Sequence, residues 1–174
     1  MLETLKTSPG LLFASFLYRS DLHSEENLRS HWEKLFGPCN IFHPTQNPLF
    51  EYYAKEMSTP LSRFFLSTNN LFERDQLLKV KLQSLDWERS WSEGGKRMVN
   101  VDIGFMSAEN FILATTKNYS HRVFLGQDIF ADLTYQFMKG KFHFFPWTYP
   151  DYLDEEKVGF LTLERAKMLK TISG

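Results

Sequence analysis

The sequence predicts an α+β fold, a mainly antiparallel sheet with helices on one side, and three observations carry that expectation. Residues 98–105 and 129–137 alternate between apolar and polar side chains, the period of strands. Lys139-Gly140 joins the second run to 141–145 with the spacing of a β-hairpin turn. Interleaved with these runs are segments with apolar residues at helical spacing behind capping side chains.

In chain order, Leu11-Leu12-Phe13-Ala14-Ser15-Phe16-Leu17-Tyr18 is nearly all apolar, as in a strand covered on both faces. Ser24, followed by Glu25 and Glu26, starts a helix with Leu28, Trp32, Leu35 and Phe36 on one face, and Gly37-Pro38 ends it. Residues 39–60 are irregular, punctuated by Pro44, Pro48 and Pro60, with room for a short helix at 50–57. A strand follows at 61–66. Asn69 or Asn70 is expected to cap the next helix, with Leu71, Leu78, Leu82 and Leu85 on one face and Gly94-Gly95 at its close. In 98–105, Val99, Val101, Ile103 and Phe105 point one way, and Met98, Asn100, Asp102 and Gly104 the other. Ser107 is expected to cap a short helix running to about 113, and 121–125 reads as a strand. The hairpin described above and a helix at 154–172 complete the chain. The order of the first two-thirds fits a split βαβ arrangement, the ferredoxin-like pattern, with an extra C-terminal hairpin and helix. No repeat or linker divides the chain, so a single domain over 1–174 is expected, with 1–10 as a flexible N-terminal segment.

Composition narrows the classes of function. An apolar fraction of 43% in 174 residues excludes a disordered chain. Aromatic residues reach 16%, enough to fill a core and line a pocket as well. The formal net charge of −1, with no dense basic run, gives no electrostatic reason for a polyanion partner, so nucleic acid is not favoured. Cys39 is the only cysteine, which suits a reducing compartment. The run 11–17 is too short to span a bilayer, and the first residues lack the apolar core of a signal peptide, so the expectation is a cytoplasmic protein with no membrane partner. Oligomeric state is not legible.

Four constellations can carry chemistry, each beside a plainer reading. Asn100 and Asp102 emerge on one strand face about 7 Å apart, able to orient a polar ligand or a Mg²⁺; a solvated sheet face is the alternative. Thr115-Thr116-Lys117-Asn118-Tyr119-Ser120-His121-Arg122 offers cations and hydroxyls for an anion, with His121 as a general acid or base. A polar loop leading into a strand is its alternative. Pro146-Trp147-Thr148-Tyr149-Pro150-Asp151-Tyr152 is a stiffened aromatic loop that can cover a ring, or else lid the core. Tyr52-Tyr53 and Glu56 fit a short helix, where Tyr52 and Glu56 share a face and Glu56 can serve as an acid or base; a surface carboxylate is the alternative. No phosphate loop, G-x-G-x-x-G, H-E-x-x-H, C-x-x-C or G-x-S-x-G occurs.

These blocks, together with Val99-Asn100-Val101-Asp102-Ile103-Gly104-Phe105, resemble the signature segments of a bacterial domain-of-unknown-function family, number 4416. The similarity runs from about Leu11 to the C-terminal helix. The chain departs from the family pattern at Ile103, where Pro is usual, and at Asn118, where Asp is usual. The resemblance implies a cytoplasmic bacterial protein without an assigned activity, although some members are labelled GTP-binding protein. Thr116-Lys117-Asn118 is faintly similar to a guanine-reading motif, but without a phosphate loop beside it.

The expected function is binding, with hydrolysis or transfer as an open extension, of a small anionic, phosphorylated or nucleotide-like ligand. His121 and Asp102 are the candidate proton carriers and Asp102 the candidate metal ligand. Asn100, Lys117, Tyr119, Arg122, Trp147, Tyr149, Tyr53 and Glu56 are the candidate ligand-binding residues. The alternative is a non-enzymatic module that binds RNA or a protein.

Overall fold

The computed structural model describes residues 7–174. Its strands are β1 (Leu11–Arg19), β2 (Cys39–Phe42), β3 (Leu61–Thr68), β4 (Val99–Met106), β5 (Asn110–Thr115), β6 (Arg122–Gly126), β7 (Ile129–Met138) and β8 (Lys141–Phe144). The helices are α1 (Glu25–Phe36), α2 (Phe50–Met57), α3 (Gln76–Ser90) and α4 (Glu155–Ser173), with a single 3-10 turn at Pro150–Tyr152. All eight strands join one antiparallel sheet in the order β2-β3-β1-β4-β5-β7-β6, and β8 pairs with the C-terminal half of β7 on the same edge as β6. The α+β expectation is met. The run β2-β3-β1-β4, with α1 after β1 and α3 after β3, is the split βαβ arrangement.

β1 lies near the middle and is buried on both faces, which explains its unbroken apolar run. Its even-numbered residues, Leu12, Ala14, Phe16 and Tyr18, pack with Leu28, Trp32 and Phe36 of α1 and Leu77, Val80 and Trp87 of α3. Its odd-numbered residues face Phe65 and Tyr135, together with Leu161 and Met168 of α4. Leu17, on the same face, meets Met57 of α2. Helices therefore cover both faces: α1 and α3 form the layer expected on one side, and α4 and α2 form a second layer opposite.

Several elements differ from expectation. β2 pairs with β3 in a stretch that reads as irregular, because four half-buried residues at a sheet edge carry too short a pattern. α3 starts at Gln76 rather than after Asn69 or Asn70. Asn70 instead donates to the Phe36 carbonyl and closes the end of α1. α3 ends at Ser90, and Gly94 and Gly95, both at positive φ, turn the chain between Glu93 and Lys96. Ser107 caps no helix. Its hydroxyl accepts from the amides of Glu109 and Asn110 and tightens the β4–β5 hairpin. Leu35 is exposed although it lies near the apolar face of α1.

The expectation of a flexible segment at 1–10 falls partly outside the described residues. Of the described part, Gly10 exchanges two backbone hydrogen bonds with Phe72, and Ser8 accepts from Arg74. The anchored chain thus begins before β1. Among the described residues no helix is long and apolar enough to cross a membrane.

Candidate functional site

β4 is zipped to β5 along only half its length. Ile103 through Met106 pair with Ala114 through Phe111, whereas Val99 through Asp102 pair with β1 alone. Continued in register, the ladder would set Asp102 against Thr115 and Asn100 against Lys117. The strands part instead, and a cavity of about 370 Å³ opens between them. Asn100 and Asp102 line one side of it, and Thr115, Thr116 and Lys117 the other.

Parting leaves the outward backbone groups of Val101 without a strand partner, which would be costly if unmet. Two side chains of α3 take over. Glu88 Oε1 accepts from the Val101 amide at 2.6 Å, and Lys81 Nζ donates to the Val101 carbonyl at 3.2 Å. Burial raises the pKa of Glu88, while the Val101 amide, Lys81 and Arg97 act in the opposite direction. In the zipped half, Gly104 allows close packing: a methyl group there would meet the Phe111 ring at 2.9 Å.

The remaining walls come from three places. α2 contributes Tyr52, Tyr53 and Glu56. Arg97, just before β4, is held by Glu56 at 2.6 Å, Glu88 at 3.5 Å and the Asn100 side-chain oxygen at 2.6 Å. The turn after β8 contributes Tyr149, Asp151 and Tyr152. Beneath them, Asp151 pairs with buried Arg63 of β3, and its carbonyl accepts from Lys157 of α4. Burial lowers the Lys157 amine to about 7, with Asp151 working against that shift. Burial raises the phenols of Tyr53 and Tyr152 well above the ordinary range, and the charge of Asp102 adds to both. Both phenols therefore stay protonated at neutral pH, able to donate and to accept.

Most lining charges are already matched. Among the described residues, Asp102 makes no ion pair; its one hydrogen bond is from the Asn100 amide at 3.2 Å. Lys117 likewise has no carboxylate within ion-pair distance. Several atoms at or beneath the cleft are buried without a hydrogen-bond partner among the described residues: Asp151 Oδ1, the Tyr152 hydroxyl, Arg63 Nε and Arg97 Nε.

The expected site residues thus divide into two groups. Asn100, Asp102, Lys117, Tyr149, Tyr53 and Glu56 converge on the cleft. His121, Arg122, Trp147 and Tyr119 do not line it. Arg122 is spent on structure: it donates to Asp132 at 2.9 Å, to the Lys117 carbonyl at 2.8 Å and to the Tyr149 hydroxyl at 2.6 Å. His121 contacts the same Asp132 oxygen at 3.2 Å and stacks on Trp147 at 4.7 Å. Trp147 stacks in turn on Phe145 and donates to the Leu133 carbonyl. Tyr119 is exposed beside His121. This bracket around buried Asp132 fixes the wall that carries Lys117 and Tyr149, and it is not an anion receptor. Among the described residues, no group of three or more His, Cys, Asp or Glu side chains is placed to hold a metal ion.

Sequence reasoning missed Lys81, Glu88, Arg97, Asp132 and, as single residues, Asp151 and Tyr152. Lys81 and Glu88 left a faint signal as charged residues near the inward side of α3. Arg97 gave no signal, because its partners come from α2 and α3.

The fold and cleft define a class: an antiparallel α+β protein with a small polar pocket where two sheet strands part. More particularly, the chain belongs to the family described as domain of unknown function DUF4416, whose model matches residues 8–168. No match was found among curated proteins or among solved structures.

Proposed function

We propose that this protein binds a small phosphorylated or nucleotide-like molecule in the cleft between β4 and β5. The observation that carries the reading is a pair of opposite charges facing one cavity, neither in an ion pair among the described residues: Asp102 on β4 and Lys117 beyond the end of β5. Aromatic side chains of Tyr52, Tyr53 and Tyr149 give the ligand a face to pack on. A volume of about 370 Å³ lies at the small end of the roughly 300–1,000 Å³ usual for ligand pockets. Hydrolysis or transfer in the cleft would fall to Asp102 as proton carrier, since His121 stands behind the wall on Asp132.

A thermal-shift panel of nucleotides and sugar phosphates tests this. Members of the panel raise the melting temperature of the wild type, and Asp102→Asn and Lys117→Ala remove the rise without lowering their own melting temperatures. A panel without any shift, or shifts that survive both substitutions, refutes the reading. A cytoplasmic setting accompanies it. The lone thiol of Cys39 is pushed up to about 12 by burial, with the charge of Glu33 adding, and such a thiol is a poor nucleophile.

One observation favours the second reading, a protein-binding module. β6 is an edge strand, and Val123, Phe124 and Leu125 on it are 66%, 61% and 37% exposed. Val123→Lys with Phe124→Glu would abolish capture of a partner or self-association in size-exclusion chromatography; unchanged elution of a monomeric wild type removes this reading.

A further inference from the structure

The hydrogen-bonding groups of the cleft floor select among phosphorylated ligands. Asp102 accepts one hydrogen bond within the protein, although a carboxylate can take about four. Asp151 Oδ2 is taken by Arg63, while Oδ1 is buried without a partner. The Tyr152 hydroxyl is also buried without a partner among the described residues, on a residue only 4% exposed. The floor thus offers acceptors on two acids and a phenol that works both ways. Leaving such groups unmatched is costly, so a ligand that meets them gains specificity.

Two chemistries bring donors to acceptors: ammonium groups and hydroxyls. An ammonium is poorly suited here. Arg63 and Lys157 both sit on Asp151, and Lys81 sits on the Val101 carbonyl, so a new cation would enter among existing ones. Hydroxyls donate without charge and also accept from Tyr152. At the other side of the cleft, Lys117 stands with the hydroxyls of Thr115 and Thr116, a set that suits one phosphate. Tyr53 and Tyr149 line the walls between, where they can pack on the C–H face of a ring.

Resting on the reading of the cleft as a ligand site, we propose that its ligand is a sugar phosphate or polyol phosphate, with hydroxyls on Asp102, Asp151 and Tyr152 and the phosphate on Lys117. The sugar, rather than a nucleobase, is the recognised part, and one phosphate suffices.

Calorimetric titration of the full chain tests this with ribose 5-phosphate, glucose 6-phosphate, ribose, inorganic phosphate and AMP. At least one sugar phosphate binds at least tenfold more tightly than ribose or phosphate alone. Asp102→Asn and Tyr152→Phe each weaken it by about ten- to a hundredfold, the loss of a hydrogen bond to a charged or buried group. Tyr152→Phe removes an oxygen that has no partner in the protein, so an unchanged melting temperature certifies its fold. Lys117→Ala abolishes the advantage of the phosphorylated sugar over the free one. Binding of AMP without either sugar phosphate, or sugar phosphate binding indifferent to Asp102→Asn and Tyr152→Phe, overturns the sugar assignment and leaves the cleft as a nucleotide or other anion site. Absence of binding by all five compounds overturns both.

Discussion

The two halves of β4 obey the same alternation and end in different chemistry. From Ile103 to Met106 the strand is paired on both edges, and its side chains are buried among apolar neighbours. From Val99 to Asp102 it keeps β1 but loses β5, and α3 side chains replace the missing strand at Val101. A sheet can be opened without orphaning its backbone when a helix behind it supplies one donor and one acceptor. The opening then makes a cleft lining of the polar residues that the strand already carried on its second face, Asn100 and Asp102. The zipped half holds the fold, and the parted half holds the candidate site.

Substitutions should separate those roles. The largest effect belongs to the zipped half: Phe105→Ala empties a buried ring site and should cost about 3–5 kcal/mol in urea or thermal unfolding. A loss below about 1 kcal/mol would show that the zipped half is not where stability resides.

The next effect lies beneath the parted half and is read by pH. Lys157 titrates near 7 in the fold against 10.5 as its ordinary value, because burial disfavours its charge. Between those values the unfolded chain holds a proton that the folded one lacks, so stability rises with pH, by at most about 1.4 kcal/mol per pH unit. Denaturant titrations at pH 7, 8 and 9 should show the rise, and Lys157→Met should flatten it. Above pH 10 the raised phenols of Tyr53, Tyr135 and Tyr152 work the other way, so the window closes there. A wild type with level stability from pH 7 to 9 would contradict the assignment.

Smaller still is the replacement ladder at Val101. Glu88→Ala leaves the Val101 amide without its acceptor and should cost about 1–2 kcal/mol, with Glu88→Gln recovering most of it. Amide hydrogen exchange at Val101 gives the direct readout: accelerated in the alanine variant, near wild type in the glutamine variant. Equal exchange in all three would mean that α3 does not stand in for the absent strand.

The same contrast governs what was legible in the sequence. Period-two alternation placed Asn100 and Asp102 on one face, the β7–β8 hairpin announced itself through Lys139-Gly140, and the cap at Ser24 was local enough to read. Ser107 misled because a serine hydroxyl bonded to amides two and three residues on is chemically the same in a hairpin turn and at a helix start. That error hid the β4–β5 pairing, and with it the reason Lys117 faces Asn100 and Asp102. The block from Thr115 to Arg122 looked like an anion receptor because its cations are adjacent in sequence. The acid that neutralises Arg122 and holds His121 comes from β7. Arg97, Lys81 and Glu88 were illegible for the same reason: a charge is identified by its partner, and theirs are brought together only by the folded chain.

The smallest expected effect on stability is also the most informative about the parted half. Asp102→Asn preserves shape, and the asparagine oxygen can still accept from the Asn100 amide. No cation loses a partner, because none pairs with Asp102 among the described residues. Asp102 makes no contact ion pair and acts on Arg63 and Lys157 only at longer range, so unfolding should shift by no more than about 1 kcal/mol. A loss of 2 kcal/mol or more would place Asp102 among the structural acids with Asp132, and the cleft would then lose the carboxylate that carries the ligand reading.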